Sequence, residues 1–236
     1  MKEQSRREVL KKSAAYAIFF GALFGGGIYI SPKLYAKNNH LRPPGALDEN
    51  AFLATCIKCG QCIQVCPYHS INMYDIANLN SIGTPYIDAY ERGCYLCDLF
   101  PCVLACPTGS LQHEVTTADD IRMGTAYINN IDDCFAFIGK KVEEADLEKI
   151  LSHSNQNERE FAILDKIQNY VGKECTICVD MCPYPNKTDA IEMVYETDKA
   201  FPKINQKCVG CGVCVELCPS SVISIVPSKT YEDVHV

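Results

Sequence analysis

The residues able to do chemistry in this chain are its cysteines, and their spacing is specific. Cys56, Cys59, Cys62 and Cys66 stand as C-x2-C-x2-C-x3-C, followed by Pro67. Three thiolates two residues apart let one tight loop wrap a [4Fe–4S] cubane, with backbone N–H groups turned towards its sulfurs. The fourth cysteine of such a run begins a short helix and serves a neighbouring cubane. Gly60 permits the close main-chain approach, and Pro67 sets the exit. The run recurs as Cys208, Cys211, Cys214 and Cys218 before Pro219. A variant, Cys94, Cys97, Cys102 and Cys106 before Pro107, has two extra residues ahead of its third cysteine. A shortened form, Cys175, Cys178 and Cys182 before Pro183, lacks one cysteine, and Cys134 is the only cysteine outside the runs. The sixteen cysteines divide into four sets of four, which predicts four [4Fe–4S] clusters.

Cys134 follows Cys106 by 28 residues, where the repeat expects a run to begin. It is therefore assigned as the first ligand of the third run, with residues 135–174 inserted behind it. A disulfide framework does not repeat C-x2-C-x2-C-x3-C-P at even intervals. A zinc site has no role for a third cysteine two residues on. In every run the cysteine just before proline is expected to cross over to the other cluster of its pair. Two pairings are open. Sequential pairing joins the first run with the second and the third with the fourth. Nested pairing joins the first with the fourth and the second with the third, and it is preferred because the second run resembles that of oxidoreductase subunits paired in this way.

The elements that must position these cysteines repeat with them. Intervals of 28, 28 and 26 residues separate the end of one run from the next Cys, and each reads as a helical turn followed by a small antiparallel hairpin. The expected fold is α+β: duplicated bacterial dicluster-ferredoxin-like units with a helical insertion at 135–174. Within that insertion, Val142–His153 and Glu158–Tyr170 show apolar residues at helical spacing. They read as two amphipathic helices that cover a cluster from solvent rather than dock a partner. Residues 51–226 form the four-cluster domain, 37–50 a linker stiffened at Pro43-Pro44-Gly45, and 227–236 a C-terminal tail.

Residues 1–36 read as a twin-arginine signal or N-terminal anchor. Arg6-Arg7 precede the apolar stretch Ala14–Ile30. The twin-arginine route carries folded cargo, which suits clusters assembled before export to the periplasm. Retained, the stretch would give membrane association through the N-terminus, on the periplasmic side. The net charge of −7 argues against a nucleic-acid partner. The histidines at 40, 69, 113, 153 and 235 lack ligand spacing; His69 could line a cluster, but a surface position is favoured. Phosphate loops, serine elbows, HExxH and paired-carboxylate motifs are absent, so neither an enzyme's substrate site nor catalytic residues are expected.

Beyond the cysteines, Arg42-Pro43-Pro44-Gly45-Ala46, Gly83-Thr84-Pro85-Tyr86, Pro101–Gly109 and Arg122-Met123-Gly124 complete a motif set over residues 1 to about 226. With it the chain resembles the NapG/MauM family of exported ferredoxin-type iron–sulfur proteins. The resemblance, closest to NapG, implies electron transfer from a membrane quinol dehydrogenase (NapH-like) towards periplasmic nitrate reductase or another downstream periplasmic redox protein. It also leaves open a methylamine-utilisation (MauM-like) role. The long stretch between Cys134 and Cys175 departs from the family, which has only a few residues there. Two other classes compete: an electron-transfer subunit of another molybdopterin oxidoreductase, and an assembly factor.

Overall fold

A computed structural model describes residues 40–76, 78, 81–152, 157–197 and 199–235. The twin-arginine segment and the expected anchor lie outside the described residues. No helix among the described residues is long and apolar enough to cross a membrane.

In chain order the elements are α1 (Glu49–Thr55), α2 (Gln61–Gln64), β1 (Asn72–Met73), β2 (Pro85–Tyr86), α3 (Pro101–Leu104) and β3 (Gly124–Ile128). The inserted segment carries α4 (Phe135–Ile138), α5 (Glu148–Leu151) and α6 (Glu158–Gln168). There follow α7 (Ile177–Asp180), α8 (Lys187–Ala190), β4 (Ile191–Glu196), β5 (Lys199–Ile204), α9 (Val213–Glu216), β6 (Ile223–Pro227) and α10 (Tyr231–Val234).

Strand pairing divides the fold into two modules of one design. In the first, β1 and β2 form the central hairpin, with Asn72 opposite Tyr86. The module's ends then meet at an antiparallel bridge between Ala46 and Leu111, flanked by Gln112 N–H to Gly45 O at 2.7 Å. In the second, β4 and β5 form the hairpin, and β3 pairs with β6 from Gly124–Pro227 to Ile128–Ile223. The hairpins expected after Cys66 and Cys182 are present. The one expected after Cys106 is not, because each side of it pairs with a distant segment that closes a module. Closing ends in this way satisfies backbone groups that a lone short hairpin would leave open.

Residues 40–50, expected as linker, are largely built into the first module. Arg42 is buried, donates to both Glu49 oxygens at 2.9 and 2.5 Å and to Pro85 O at 2.6 Å, and lies over the Phe52 ring. A guanidinium forked onto a carboxylate and stacked on an aromatic face tolerates such burial. This contact also joins two of the sequence motifs, Arg42-Pro43-Pro44 and Thr84-Pro85. The tail likewise packs back, with His235 Nε2 2.8 Å from Ala126 O.

The insert is shorter in helix than its periodicity suggests. Its first helix is a 3₁₀ turn (Ala145–Leu147) running into α5, while α6 matches expectation. Leu147, Ile150, Ile163 and Ile167 are buried, so its apolar stripe has found a core. Its root closes on itself: Val142 N–H donates to Lys173 O at 3.0 Å and Gly172 N–H to Val142 O at 2.8 Å. The two ends of the insertion therefore arrive together beside Cys134 and Cys175.

Candidate metal centres

Each run places its third cysteine inside a one-turn helix: Cys62 in α2, Cys102 in α3, Cys178 in α7 and Cys214 in α9. By that register Cys175 occupies the second position of its run. The first position is then missing locally, which is the role assigned to Cys134. The loops before three of these helices use left-handed backbone. Gly60 and Gly212 supply it ahead of α2 and α9, and Phe100, at φ 39°, supplies it ahead of α3. The same conformation recurs two residues after the first cysteine, at Lys58, Leu96 and Gly210. It appears again three residues after the fourth, at His69, Gly109 and Ser221. Non-glycine residues held there store strain, and such residues cluster where backbone must face a ligand.

The tertiary fold gathers the cysteines into four sets. Set I joins Cys56, Cys59 and Cys62 with Cys106 around one cavity. Set II joins Cys94, Cys97 and Cys102 with Cys66 around another. Set IV joins Cys208, Cys211 and Cys214 with Cys182. Set III is Cys134, Cys175, Cys178 and Cys218, near enough that each thiol of Cys175 and Cys178 is raised first by burial and then by charge on the other members. In every run the cysteine before proline has crossed to the partner set. The preferred nested pairing is incorrect. Cys66 meets the second run and Cys218 the third, because the bridge at Ala46 and Leu111 and the β3–β6 ladder fold each module on itself.

The donor groups fit cubanes better than single ions. Among the described residues, no three His, Cys, Asp or Glu side chains converge closely enough to hold one metal ion. Four thiolates at the corners of a cubane stand farther apart than four on a zinc. Backbone amides already point at several sulfurs: Ser70 N–H at Cys66 Sγ (3.3 Å), Leu111 N–H at Cys106 Sγ (3.5 Å) and Ala126 N–H at Cys208 Sγ (3.5 Å). Burial raises the Cys106 thiol, but bonds from Ser110 Oγ, from Leu111 and Thr108 N–H and from Thr108 Oγ1 outweigh it and bring it down to about 7. At several other thiols burial wins. Cys62 and Cys97 are pushed up to about 11, Cys102 to about 12, and Cys94 and Cys214 well above the ordinary value. Buried thiols crowded together resist ionising unless a cation takes the charge.

Sets II and IV touch across a seam of main chain. Cys94 N–H donates to Cys211 O at 2.7 Å. A Cβ on Gly93 would lie 2.5 Å from Val213 N, and one on Gly212 2.7 Å from Ala89 Cβ, so only glycine admits this approach. Glu216, between Cys214 and Cys218, reaches over the seam and accepts from Gly93 N–H (2.8 Å) and Tyr95 Oη (3.0 Å). The Tyr95 hydroxyl is raised first by burial and then by that carboxylate. Sequence reasoning missed Arg92, Glu160 and Glu216, since nothing local marks a charged residue as buried. His69, with its side chain 44 % exposed, sits at the surface as favoured, yet its Nδ1 lies 2.8 Å from Glu160 Oε1.

A family model of the 4Fe-4S dicluster domain matches residues 55–110 and 173–222, one match in each module. Dicluster domains of this kind indicate [4Fe–4S] clusters, and the chain is a ferredoxin-type iron–sulfur electron-transfer protein. The ferredoxin-type protein NapG of Escherichia coli (strain K12) is 31% identical over 189 residues, covering 78% of this chain and 68% of the relative. The methylamine utilization ferredoxin-type protein MauM of Methylorubrum extorquens is 31% identical over 97% of this chain and 91% of its own. NapG of Haemophilus influenzae is 30% identical over 94% and 71%. The chain belongs to the NapG/MauM family of ferredoxin-type proteins. No solved structure matches it.

Proposed function

We propose that the sixteen cysteines ligate four [4Fe–4S] clusters. Through them the chain would relay single electrons from a membrane quinol dehydrogenase of the NapH kind towards periplasmic nitrate reductase. The observation that carries this reading is the order in which the sets meet. Set I adjoins II, with α2 packed on α3; II adjoins IV across the Cys94–Cys211 bond; IV adjoins III, with α7 packed on α9. The result is a single line, I–II–IV–III, with one set at each end. A cubane supplies a one-electron couple when bound, and its potential follows burial, hydrogen bonds to sulfur and nearby charge. The chain's own residues space the sites, exclude water and donate to sulfur, while no bond-making chemistry on a substrate is assigned to them.

Cys59 is exposed, whereas Cys134, Cys175 and Cys178 are buried beside the insert. Set I is therefore the end open to a redox partner. Arg6-Arg7 and Ala14–Ile30 support export of the folded, loaded protein to the periplasm. The competing role as a subunit of another molybdopterin oxidoreductase rests on the spacing of Cys94, Cys97, Cys102 and Cys106, which those subunits share. Anaerobically purified protein should carry roughly sixteen iron atoms per chain. It should also be reduced by quinol only when membranes containing the dehydrogenase are present. Iron near half that content, or a stoichiometric catalytic subunit travelling with the chain, would overturn the reading.

A further inference from the structure

The II–IV seam holds charges that the repeat does not call for. Arg92 stands two residues before the first cysteine of its run. The equivalent residues in the other runs, Ala54, Asp132 and Gln206, are all exposed, while Arg92 is buried. Glu216 stands two residues after the third cysteine. Its equivalents Gln64, Leu104 and Asp180 are exposed, while Glu216 is 3 % exposed. Arg92 Nε lies 3.7 Å from Glu216 Oε1, and Arg92 Nη1 lies 3.8 Å from Glu160 Oε1. Glu160 is fully buried and comes from α6 of the insert, which reaches back from the second module onto the first. Two further contacts hold α6 there: Asn157 Nδ2 donates to Pro67 O at 2.8 Å, and Glu160 Oε1 lies against His69 Nδ1.

Burying an arginine and two carboxylates costs more than an apolar seam of the same size, so this placement is not explained by stability. An arginine in the seam favours an added electron on either side of it, and the carboxylates oppose one. We propose that Glu160 is a positioning residue for the electron step between sites II and IV. With Glu216 it holds Arg92 in the seam, and the three charges set the reduction potentials of the two sites. A single electron crossing the seam oxidises one side by one and reduces the other by one, so no proton or further reactant is needed. The insert thus has a task of its own, which is to deliver Glu160. This proposal rests on the four-cluster reading.

The test is a potentiometric titration of the full-length, cluster-loaded protein, followed by electron paramagnetic resonance. Signals of sites II and IV are assigned from Cys66→Ser and Cys182→Ser. Glu160→Gln keeps the side chain's shape and removes its charge, so the potentials at II and IV should rise. Arg92→Gln should lower them, Arg92→Lys should leave them near wild type, and I and III should not move. The idea is overturned if both glutamine variants leave II and IV unmoved, or shift them in the same direction. It is equally overturned if Arg92→Lys behaves as Arg92→Gln. Should Glu160→Gln lose iron, the contrast between the two Arg92 variants still decides. Failure of the four-cluster reading would show separately, as wild-type iron well below roughly sixteen per chain.

Discussion

In the first module the strands of the central hairpin are two residues long, and in the second they are six. The first module's ends meet at a single bridge, the second's at the full β3–β6 ladder. Backbone strain is divided the other way. Lys58, His69, Leu96, Leu99 and Phe100 are non-glycine residues held left-handed in the first module, against Ser221 and Ser228 in the second. The first module is also the one with an exposed cysteine. One plan has been built twice, once lightly and once heavily. The light copy draws support from its neighbour: the second module's insert anchors Pro67 and His69, and Glu216 holds the Gly93 turn. The lesson is that the copies differ most where they meet.

The largest effect should come from forcing the modules apart. Gly93→Ala would set a methyl 2.5 Å from Val213 N and 2.6 Å from Gly212 C, both main-chain atoms that cannot swing away. Overpacking of this kind costs roughly 3 kcal/mol or more. Denaturant melts of the loaded protein should show that loss, together with slowed electron exchange between modules. Wild-type stability in this variant would mean that the seam is looser than described.

Next in size is the loss of one site by removal of a crossed ligand. Cys66→Ser should abolish site II while leaving site I, to whose run Cys66 belongs. Cys218→Ser should abolish III and spare IV. Each variant should hold about twelve irons, counted chemically and assigned by resonance. If Cys66→Ser empties site I instead, the crossing is wrong.

A moderate effect should separate site IV from site I by pH. All four thiols of set IV are raised, Cys182 and Cys208 mainly by burial, Cys211 and Cys214 by burial and then by neighbouring cysteines. Set I contains Cys106, brought down to about 7, beside Cys62, pushed up to about 11. Ligands must lose their protons to bind metal. Reconstitution at IV should therefore gain more than at I as the pH rises from neutral towards about 9. The cluster-free fold should respond in the opposite sense. Raised thiols mean that the folded chain holds protons more tightly than the unfolded one, so stability is present below the ordinary thiol value and lost above it. Equal pH profiles at the two sites would remove this distinction.

The smallest effect is expected at Gly109. Its φ is +68°, but a Cβ there meets nothing within 4 Å. Gly109→Ala should cost only about 1 kcal/mol, the backbone term alone. A loss as large as that of Gly93→Ala would show that a left-handed φ alone costs as much as a blocked close approach.

Much of the metal chemistry could be read along the chain because it is local. Spacing of two residues decides which three thiolates can share a loop, and the short helix carrying Cys62, Cys102, Cys178 or Cys214 follows from the same spacing. Cys134 could be assigned to the incomplete run by counting, and the fold brings it beside Cys175 and Cys178. Pairing of the runs could not be read this way. It depends on whether Leu111 finds Ala46 and whether β3 finds β6, contacts between segments far apart in the chain. The buried charges were equally hidden. Arg92, Glu160 and Glu216 look like solvated surface residues in their own segments. Only the tertiary structure brings three such segments into one seam, where withdrawal from water makes their mutual attraction strong.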